Sequence, residues 1–482
     1  MSLARAVGRN TIIQFVGKVV GTILGFLTSI LILRYLHPEG NGSYTTAMAY
    51  LGFFSVIADL GLYLILIRDL NKPGADQERI VGNLLALRWV SALVILGLAA
   101  ALVFAFDFSG AEKVAVLIGT LSFIAVAASQ LLVGVFQSRL AMTAVTVAEL
   151  IGRAVLLVAT WWAVERELGL YGIMAAVVVG SIINFLIIWF SARRFIQLRL
   201  RFDWAYWRTT LHDTLPVAIS IVLNLIYFRA DTIILRVFQG PYDVGLYGAA
   251  YKILEILNTF PIMFVGLLLP ALGAAFAANN PDRFRHIFQK GFDLLLMAAI
   301  PLVVGGAILA EPLLVFMGHR EYAPAAPVLR LLLVAVGALF MGSLSGHVVT
   351  IINRQRQMVW AYLSVAVIGL VVYFSLIPRF SLYGAAVGTI ATESLTAIIG
   401  YILITRVMRF RLRLAALWPT ALATGVMAAA LWLTRTQSLF LMLGVGVIAY
   451  SLVLFATKAV SFSLVRELLG QEPTPVARLP EE

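Results

Sequence analysis

Residues 11–33 read TIIQFVGKVVGTILGFLTSILIL, a nearly unbroken apolar run. A helix of about 20 such residues crosses the roughly 30 Å hydrocarbon layer of a bilayer. Similar blocks recur along the 482-residue chain, which is 61% hydrophobic and 12% charged, whereas soluble domains are about 25% charged. The blocks lack the alternation of apolar and polar residues that marks the strands of membrane barrels. The sequence therefore predicts an all-α, polytopic integral membrane protein.

Charged residues, prolines and glycines divide the apolar blocks into about fourteen predicted transmembrane helices joined by short loops. We expect a six-helix bundle, a basic and aromatic cytoplasmic linker, a second six-helix bundle, and two additional helices with a short tail. These four segments are residues 1–192, 193–214, 215–408 and 409–482. The linker mixes arginines with phenylalanine, tryptophan and tyrosine, which is typical of segments at the lipid headgroup level. Specific recognition of anionic lipids is the alternative interpretation of the linker.

An internal repeat relates the two bundles. Residues 34–44 (RYLHPEGNGSY) resemble residues 236–247 (RVFQGPYDVGLY), and residues 169–172 (GLYG) resemble residues 381–384 (SLYG). The offset between matching residues stays at about 200 to 216, which corresponds to six spans, an even number. The sequence therefore predicts parallel repeats about a pseudo-two-fold axis along the membrane normal, an arrangement found in alternating-access transporters.

Lysine and arginine are distributed unequally between alternate loops, with a ratio of roughly three to one. The positive-inside rule then places both termini in the cytoplasm, and we expect a multi-pass protein of the cytoplasmic (inner) membrane. The net charge of +12 resides mainly in these short loops, where it meets anionic membrane lipid. We therefore expect no nucleic-acid partner.

Ionisable residues also fall inside the predicted spans. If they faced lipid, each would cost about 2.5–3.5 kcal/mol, and together they would exceed the stability of a typical domain. They are therefore expected to face the protein interior. Some could be structural ion pairs, because Glu149 and Arg153 lie four residues apart, and Lys252 and Glu255 lie about one turn apart. The full set is Lys18, Asp59, Glu149, Arg153, Arg229, Asp231, Lys252, Glu255 and Glu393.

The first and seventh spans predict a polar cavity between the bundles. Asn10, Gln14 and Lys18 recur every four residues and form a polar stripe on the first span. The seventh span, its counterpart in the repeat, carries Arg229 and Asp231. We expect a central cavity of net positive character that contains Lys18, Arg229 and Lys252 and suits an anionic headgroup. Three glycines on a neighbouring face of the first span predict close helix packing: Gly17, Gly21 and Gly25.

Several classes of chemistry lack their residues here. The chain has no cysteine and five scattered histidines without metal-ligand spacing. It also lacks a phosphate-binding glycine-rich loop followed by Lys-Ser or Lys-Thr. We therefore predict neither a metal site nor an intrinsic ATPase, and no cofactor other than a coupling ion.

The chain resembles the Wzx-type lipid-linked oligosaccharide flippases of the multidrug/oligosaccharidyl-lipid/polysaccharide (MOP) exporter superfamily. The resemblance covers essentially the whole length and rests on four motifs in order. They are the turn Gly40–Tyr44, the run Asp59–Leu62 followed by Arg68, the segment Tyr227–Asp231 before Leu235, and Gly245–Tyr247 continuing to Lys252.

The resemblance implies two bundles in a V around a cationic cavity and transport of an undecaprenyl-pyrophosphate-linked oligosaccharide to the outer leaflet. It implies a cycle of alternating access driven by an ion, H⁺ or Na⁺, or by the membrane potential, and polysaccharide polymerase or assembly proteins as partners. Asp59, Arg68, Arg229, Asp231 and Lys252 occupy family positions. Asp231 lies nearly opposite Arg229 on its helix, so we expect it to pair elsewhere or to take part in ion coupling.

Two other functions remain open at this point. A multidrug exporter of the same superfamily would share the architecture but would bind organic cations against cavity carboxylates. A membrane glycosyltransferase or polymerase would act on the same lipid intermediates but usually carries a sizeable outer loop. The longest outer loop here, around Gly318 to Ala326, has only about a dozen residues. The flippase function is therefore preferred, and we do not expect an enzyme.

Overall fold

The computed structural model describes the backbone of residues 3–139 and 141–459, and the side chains of residues 13–139, 141–214 and 230–459. The regular secondary structure of these residues is helical, which confirms the all-α prediction. The helices are α1 (Leu3–Asp59), α2 (Leu62–Leu70), α3 (Gln77–Leu102), α4 (Gly110–Ser138), α5 (Met142–Glu165), α6 (Gly169–Ala192), α7 (Trp204–Phe238), α8 (Pro241–Ala277), α9 (Pro281–Gly318), α10 (Ala326–Ile351), α11 (Gln355–Met408), α12 (Leu417–Leu433) and α13 (Leu439–Ala456), with short 3-10 helices at Val103–Ala105 and Arg320–Ala325.

By length and composition, 10 helical segments in the described part of the chain can cross a membrane. Two of them, Ile13–Leu70 and Gln355–Met408, contain 58 and 54 residues and would extend about 80 Å or more if they were straight. Each contains a kink, at His37 (φ 55°) and at Ser381 (φ 47°). His37 precedes Pro38, and the residue before a proline is disfavoured in the helical conformation. Each segment is therefore long enough for two crossings, while the total of about fourteen spans stays a prediction.

The two ends of the bundle are named here by what lies at them. The linker end contains the segment between α6 and α7, and the far end contains the kinks at His37 and Ser381. At the linker end, the Asp203 carboxylate caps α7 by accepting the Tyr206 N–H at 3.2 Å. Arg79 of α3 donates to the same carboxylate at 2.7 Å and lowers the pKa of Asp203. The α7 helix thus begins within the predicted linker 193–214, and its first turns are fastened to α3.

The chain packs as two halves, α1–α6 and α7–α11, which meet where α1 crosses α8. At this crossing a Cβ on Gly42 would lie 1.7 Å from the Pro241 carbonyl oxygen, and one on Gly245 would lie 1.7 Å from the Pro38 carbonyl oxygen. Pro38 and Gly42 both occur 203 residues before their counterparts. Such a reciprocal contact is what a two-fold axis produces, and it agrees with the predicted internal repeat.

The last two helices pack on the outside of the second half. Helices α12 and α13 contact each other and α9. The Tyr450 hydroxyl of α13 donates to the Met297 carbonyl of α9 at 2.5 Å. Met427, Leu431 and Met442 form a small apolar core with Leu309 of α9. These helices are therefore an addition to the two halves and not part of the α1–α8 crossing.

Candidate substrate cavity and buried charge clusters

Polar contacts close the space between the halves at the far end. Arg34 of α1 donates through Nη2 to the Phe316 carbonyl of α9 at 2.6 Å. Its counterpart in the repeat, Arg236 of α7, pairs with Glu112 of α4 at 2.6 Å. Two further contacts between the halves lie at the same end: His37 pairs with Glu321 at 2.8 Å, and the Asn41 amide donates to the Gly245 carbonyl oxygen at 2.9 Å. The structure is therefore closed at the far end.

A pocket of about 280 Å³ lies between the halves, directly below this closure. Helix α1 contributes Tyr44, Thr45 and Met48, and α8 contributes Lys252 and Glu255. The Lys252 ammonium lies 3.1 Å from the Glu255 carboxylate, and their side chains are 41% and 26% exposed. A charged pair at the contact between the halves can bind a charged ligand and can also respond to movement of the halves.

The three predicted cavity cations are not all beside this pocket. Lys252 lines it, whereas Lys18 does not; Lys18 is exposed on the part of α1 nearer the linker end. The side chain of Arg229 lies outside the described residues. The two described charges of the pocket, Lys252 and Glu255, balance each other. The expected net positive character therefore depends on Arg229 and stays a prediction.

Asp231 belongs to a separate buried cluster inside the second half. It is 1% exposed and accepts the Tyr247 hydroxyl at 2.5 Å and the Thr389 hydroxyl at 3.4 Å. Glu393 follows Thr389 by one turn of α11, so both lie on the same face. Glu393 is 5% exposed and lines a cavity of about 420 Å³ that also includes His347. Two buried carboxyl groups on facing helices can hold a cation or a proton.

Glu149 and Arg153 form the intrahelical pair that their spacing predicts. The Arg153 Nη2 atom lies 2.9 Å from Glu149 Oε1 on α5. The guanidinium also donates from Nη1 to the Gly21 carbonyl oxygen of α1 at 3.0 Å. A Cβ on Gly25 would lie 3.0 Å from Nη1, so the glycine row of the first span makes room for this side chain. The row is a packing face against α5, as predicted.

Asp59 forms an ion pair with a residue that the sequence reading missed. Arg88 of α3 is 1% exposed and contacts Asp59 at 2.7 Å. It also donates to the Ala58 and Ala127 carbonyl oxygens, both at 3.0 Å. Helix α1 ends at Asp59, and the chain turns at Gly61 (φ 70°). Because carbonyl groups in the last turn of a helix lack a partner in that helix, the Ala58 carbonyl oxygen accepts from Arg88 instead. A single arginine inside the otherwise apolar run of residues 84–92 is the sequence feature that could have identified Arg88 as a buried charge.

Arg68 lies at the linker end and does not line the central pocket. Its guanidinium donates to Asp69 at 2.9 Å and to Asp213 of α7 at 3.1 Å. The Asp69 carboxylate also accepts the Tyr206 hydroxyl at 3.2 Å. Arg68 therefore joins the end of α2 to the start of α7. This placement favours a structural role in connecting the halves over direct contact with a ligand.

The fold is that of MOP-superfamily transporters. A solved structure entitled "Lipid II flippase MurJ, inward closed conformation" matches with TM-score 0.77 and 14% identity, over 93% of this chain and 100% of that one. An inward-facing multidrug resistance MATE family transporter matches with TM-score 0.66 and 14% identity, over 83% of this chain and 98% of that one. Residues 216–375 match the MatE family model. These likenesses confirm the fold class.

The chain belongs to the polysaccharide biosynthesis protein family, whose model matches residues 7–276. The capsular polysaccharide biosynthesis protein CapF of Staphylococcus aureus is 22% identical over 82% of this chain and 98% of its own length. The succinoglycan biosynthesis transport protein ExoT of Rhizobium meliloti (strain 1021) is 23% identical over 70% of this chain and 67% of its own length. The probable flippase AglR of Haloferax volcanii is 23% identical over 43% of this chain and 44% of its own length.

Proposed function

We propose that this protein is a flippase that moves a polyprenyl-pyrophosphate-linked oligosaccharide from the cytoplasmic to the outer leaflet by alternating access. The observation that carries the proposal is the charged pocket at the α1–α8 crossing, between halves that are in contact at the far end. The family and the names of its relatives favour a polysaccharide precursor over an organic cation. They also favour a transporter over an enzyme.

The linker end faces the cytoplasm in this proposal, and the protein resides in the inner membrane. The excess of lysine and arginine in the loops at that end supports this orientation. The closed far end then faces outward, so the pocket receives its substrate from the cytoplasmic leaflet. Polymerase or assembly proteins that use the lipid-linked product are the expected partners on the outer side.

Lys252 is the described residue best placed to attract the pyrophosphate. Its ammonium is half-exposed in the pocket and has Glu255 beside it at 3.1 Å. An entering pyrophosphate carries several negative charges, so it competes with the carboxylate for the ammonium and repels the carboxylate. In a pocket of low dielectric this exchange is stronger than between exposed charges in water. Substrate charge can thereby weaken a contact within α8 at the crossing and favour rearrangement of the halves.

The Asp231–Glu393 cluster is the proposed coupling site for H⁺ or Na⁺. Asp231 is held by hydroxyl donors from Tyr247 and Thr389, and helices α7, α8 and α11 all contribute to the cluster. Because a bound cation would neutralise the buried carboxyl charge, its arrival or departure changes the relative energy of the packing arrangements. An ion gradient could thus drive the cycle without an ATPase.

The proposal is tested by replacing Lys252 and Arg229 separately with glutamine and measuring glycolipid in the outer leaflet. We expect export to fall in each variant while the protein level in the membrane stays normal. Arg435→Gln is the matched control, because Arg435 is an exposed far-end arginine that stacks on Trp432 at 4.6 Å. Unchanged export in both variants would overturn the cationic cavity, and loss of export only with loss of protein would make both residues structural.

A further inference from the structure

A second polar cavity lies inside the first half, between α1, α4, α5 and α6. Its volume of about 570 Å³ falls within the range of small-molecule binding sites, about 300–1,000 Å³. Its wall combines apolar side chains with several hydrogen-bonding ones. The hydrogen-bonding side chains are those of Thr28, Ser129, Gln130, Glu149, Arg153, Ser181 and Asn184.

The charged pair in this cavity is held rigidly but stays accessible. Arg153 donates from Nε and Nη2 to Glu149 Oε1 at 3.2 and 2.9 Å and from Nη1 to the Gly21 carbonyl oxygen at 3.0 Å. The Arg153 and Glu149 side chains are nevertheless 36% and 44% exposed. The pair is neutral overall, so the cavity suits an uncharged polar ligand better than an anion.

Unused hydrogen-bonding groups surround the pair. Among the residues whose side chains are described, none hydrogen-bonds to the Asn184 amide, and Glu149 uses only Oε1. The Gln130 side chain accepts a hydrogen bond from Arg88 through Oε1 at 3.1 Å. This bond does not use the NH₂ group of the Gln130 amide. Amide donors and a carboxylate acceptor therefore line the same cavity. Hydroxyl groups both donate and accept, so a polyhydroxylated ring matches this arrangement.

Helix α4 lines both this cavity and the central pocket. It contributes Phe123 to the central pocket and Val126 and Gln130 to the cavity in the first half. Positions 123, 126 and 130 lie on one helical face, and the first and last are about 10 Å apart along the axis. In a lipid-linked oligosaccharide the first sugar is attached directly to the pyrophosphate, and the remaining sugars follow from it. A molecule with its pyrophosphate near Lys252 can therefore extend its glycan along α4.

We propose that this cavity binds a sugar residue of the transported molecule, with Asn184, Gln130 and the Glu149–Arg153 pair as its hydrogen-bonding partners. This inference rests on the proposed function and deepens it, because it separates a glycan site from the pyrophosphate site at Lys252. Side chains in this cavity would then influence which glycan is accepted, while the central pocket recognises the part common to all such lipids.

The test uses the purified full-length chain in lipid nanodiscs and two probes, undecaprenyl pyrophosphate and the undecaprenyl-pyrophosphate-linked oligosaccharide extracted from the producing cells. Dissociation constants are measured for Asn184→Ala, Asn184→Ser and Lys252→Gln. Removing one neutral hydrogen-bonding partner should weaken binding of the oligosaccharide probe about five-fold. Binding of undecaprenyl pyrophosphate to Asn184→Ala should not change, and Asn184→Ser should recover part of the loss.

The matched control is Ser364→Ala, because Ser364 is exposed on α11 and donates only to the Trp360 carbonyl of its own helix. An unchanged affinity of Asn184→Ala for both probes, or an equal loss for both, would overturn the glycan site. Lys252→Gln should weaken both probes, because both contain the pyrophosphate. If Lys252→Gln has no effect while Asn184→Ala is selective, the pyrophosphate assignment fails and the glycan site stands.

Discussion

The ion pair between Glu112 and Arg236 should hold the far end closed. Arg236 Nε and Nη2 donate to the two carboxylate oxygens at 2.6 and 2.7 Å, and the side chains are 0% and 11% exposed. Glu112→Gln retains the shape but leaves the buried guanidinium without a counter-charge. Removing one partner of a buried pair costs about 3–5 kcal/mol. When the far end opens, Arg236 regains water, so most of this cost falls on the closed state.

A cost of about 3 kcal/mol corresponds to a shift of about 150-fold in the equilibrium between closed and open far ends. The chain has no cysteine, so spin labels can be placed on single introduced thiols. Arg166 in the first half and Arg379 in the second half are exposed near the far end, so Arg166→Cys and Arg379→Cys provide one labelling site in each half. Pulsed electron paramagnetic resonance then measures their separation in detergent or nanodiscs, and we expect Glu112→Gln to populate a longer distance.

The distance measurement needs a control variant that also loses one charge, and it needs evidence that each variant is folded. The labelled chain with Arg435→Gln loses an exposed far-end arginine instead, and we expect its distance distribution to stay unchanged. Size-exclusion profiles and melting temperatures of all variants show whether the fold persists. A folded Glu112→Gln variant with the same distance distribution as the parent would refute the role of this pair in closing the far end.

Three further substitutions test other parts of the structure. Gly42→Ala should abolish export, because its Cβ would lie 1.7 Å from a backbone oxygen of α8, whereas Gly97→Ala has open space and should export normally. Arg88→Leu should lower stability by about 3–5 kcal/mol, because Asp59 and the Ala58 and Ala127 carbonyl oxygens lose a buried donor; a melting curve of the double variant with Asp59→Leu should recover the part of the loss that is due to the ion pair. Asp231→Asn should stop ion-driven export but retain lipid binding; equal export with and without an ion gradient in the parent would contradict the coupling site.

The fold was predictable because its signals are periodic and local. Blocks such as residues 11–33 have the length and composition of transmembrane helices. The nearly constant offset between similar segments indicated the internal repeat. The break in the helix after Asp59 was not predicted, because it involves residues that are far apart in the sequence. Gly61 has a positive φ at the break, and Arg88, 27 residues further on, binds the Asp59 carboxylate. A contact between helices leaves little trace in the sequence of either helix.

The candidate site was predictable only in part. Intrahelical pairs such as Glu149–Arg153 follow from spacing alone. Lys18 was grouped with Lys252 by charge, but helical periodicity does not determine depth in the membrane, and the structure places Lys18 outside the central pocket. Glu112 was not recognised as a buried charge, because it follows a loop and its partner Arg236 lies in the other half.

Flippase activity can be measured with the purified protein. The full chain is reconstituted into liposomes that contain the undecaprenyl-pyrophosphate-linked oligosaccharide, and the fraction of glycan exposed on the outer leaflet is measured with a membrane-impermeant glycosidase or lectin. We predict that the protein makes glycan on the inner leaflet accessible within the assay, that an imposed ion gradient changes the rate, and that Lys252→Gln slows it. Glycan accessibility no greater than in protein-free liposomes, with the protein folded and inserted, would contradict the account.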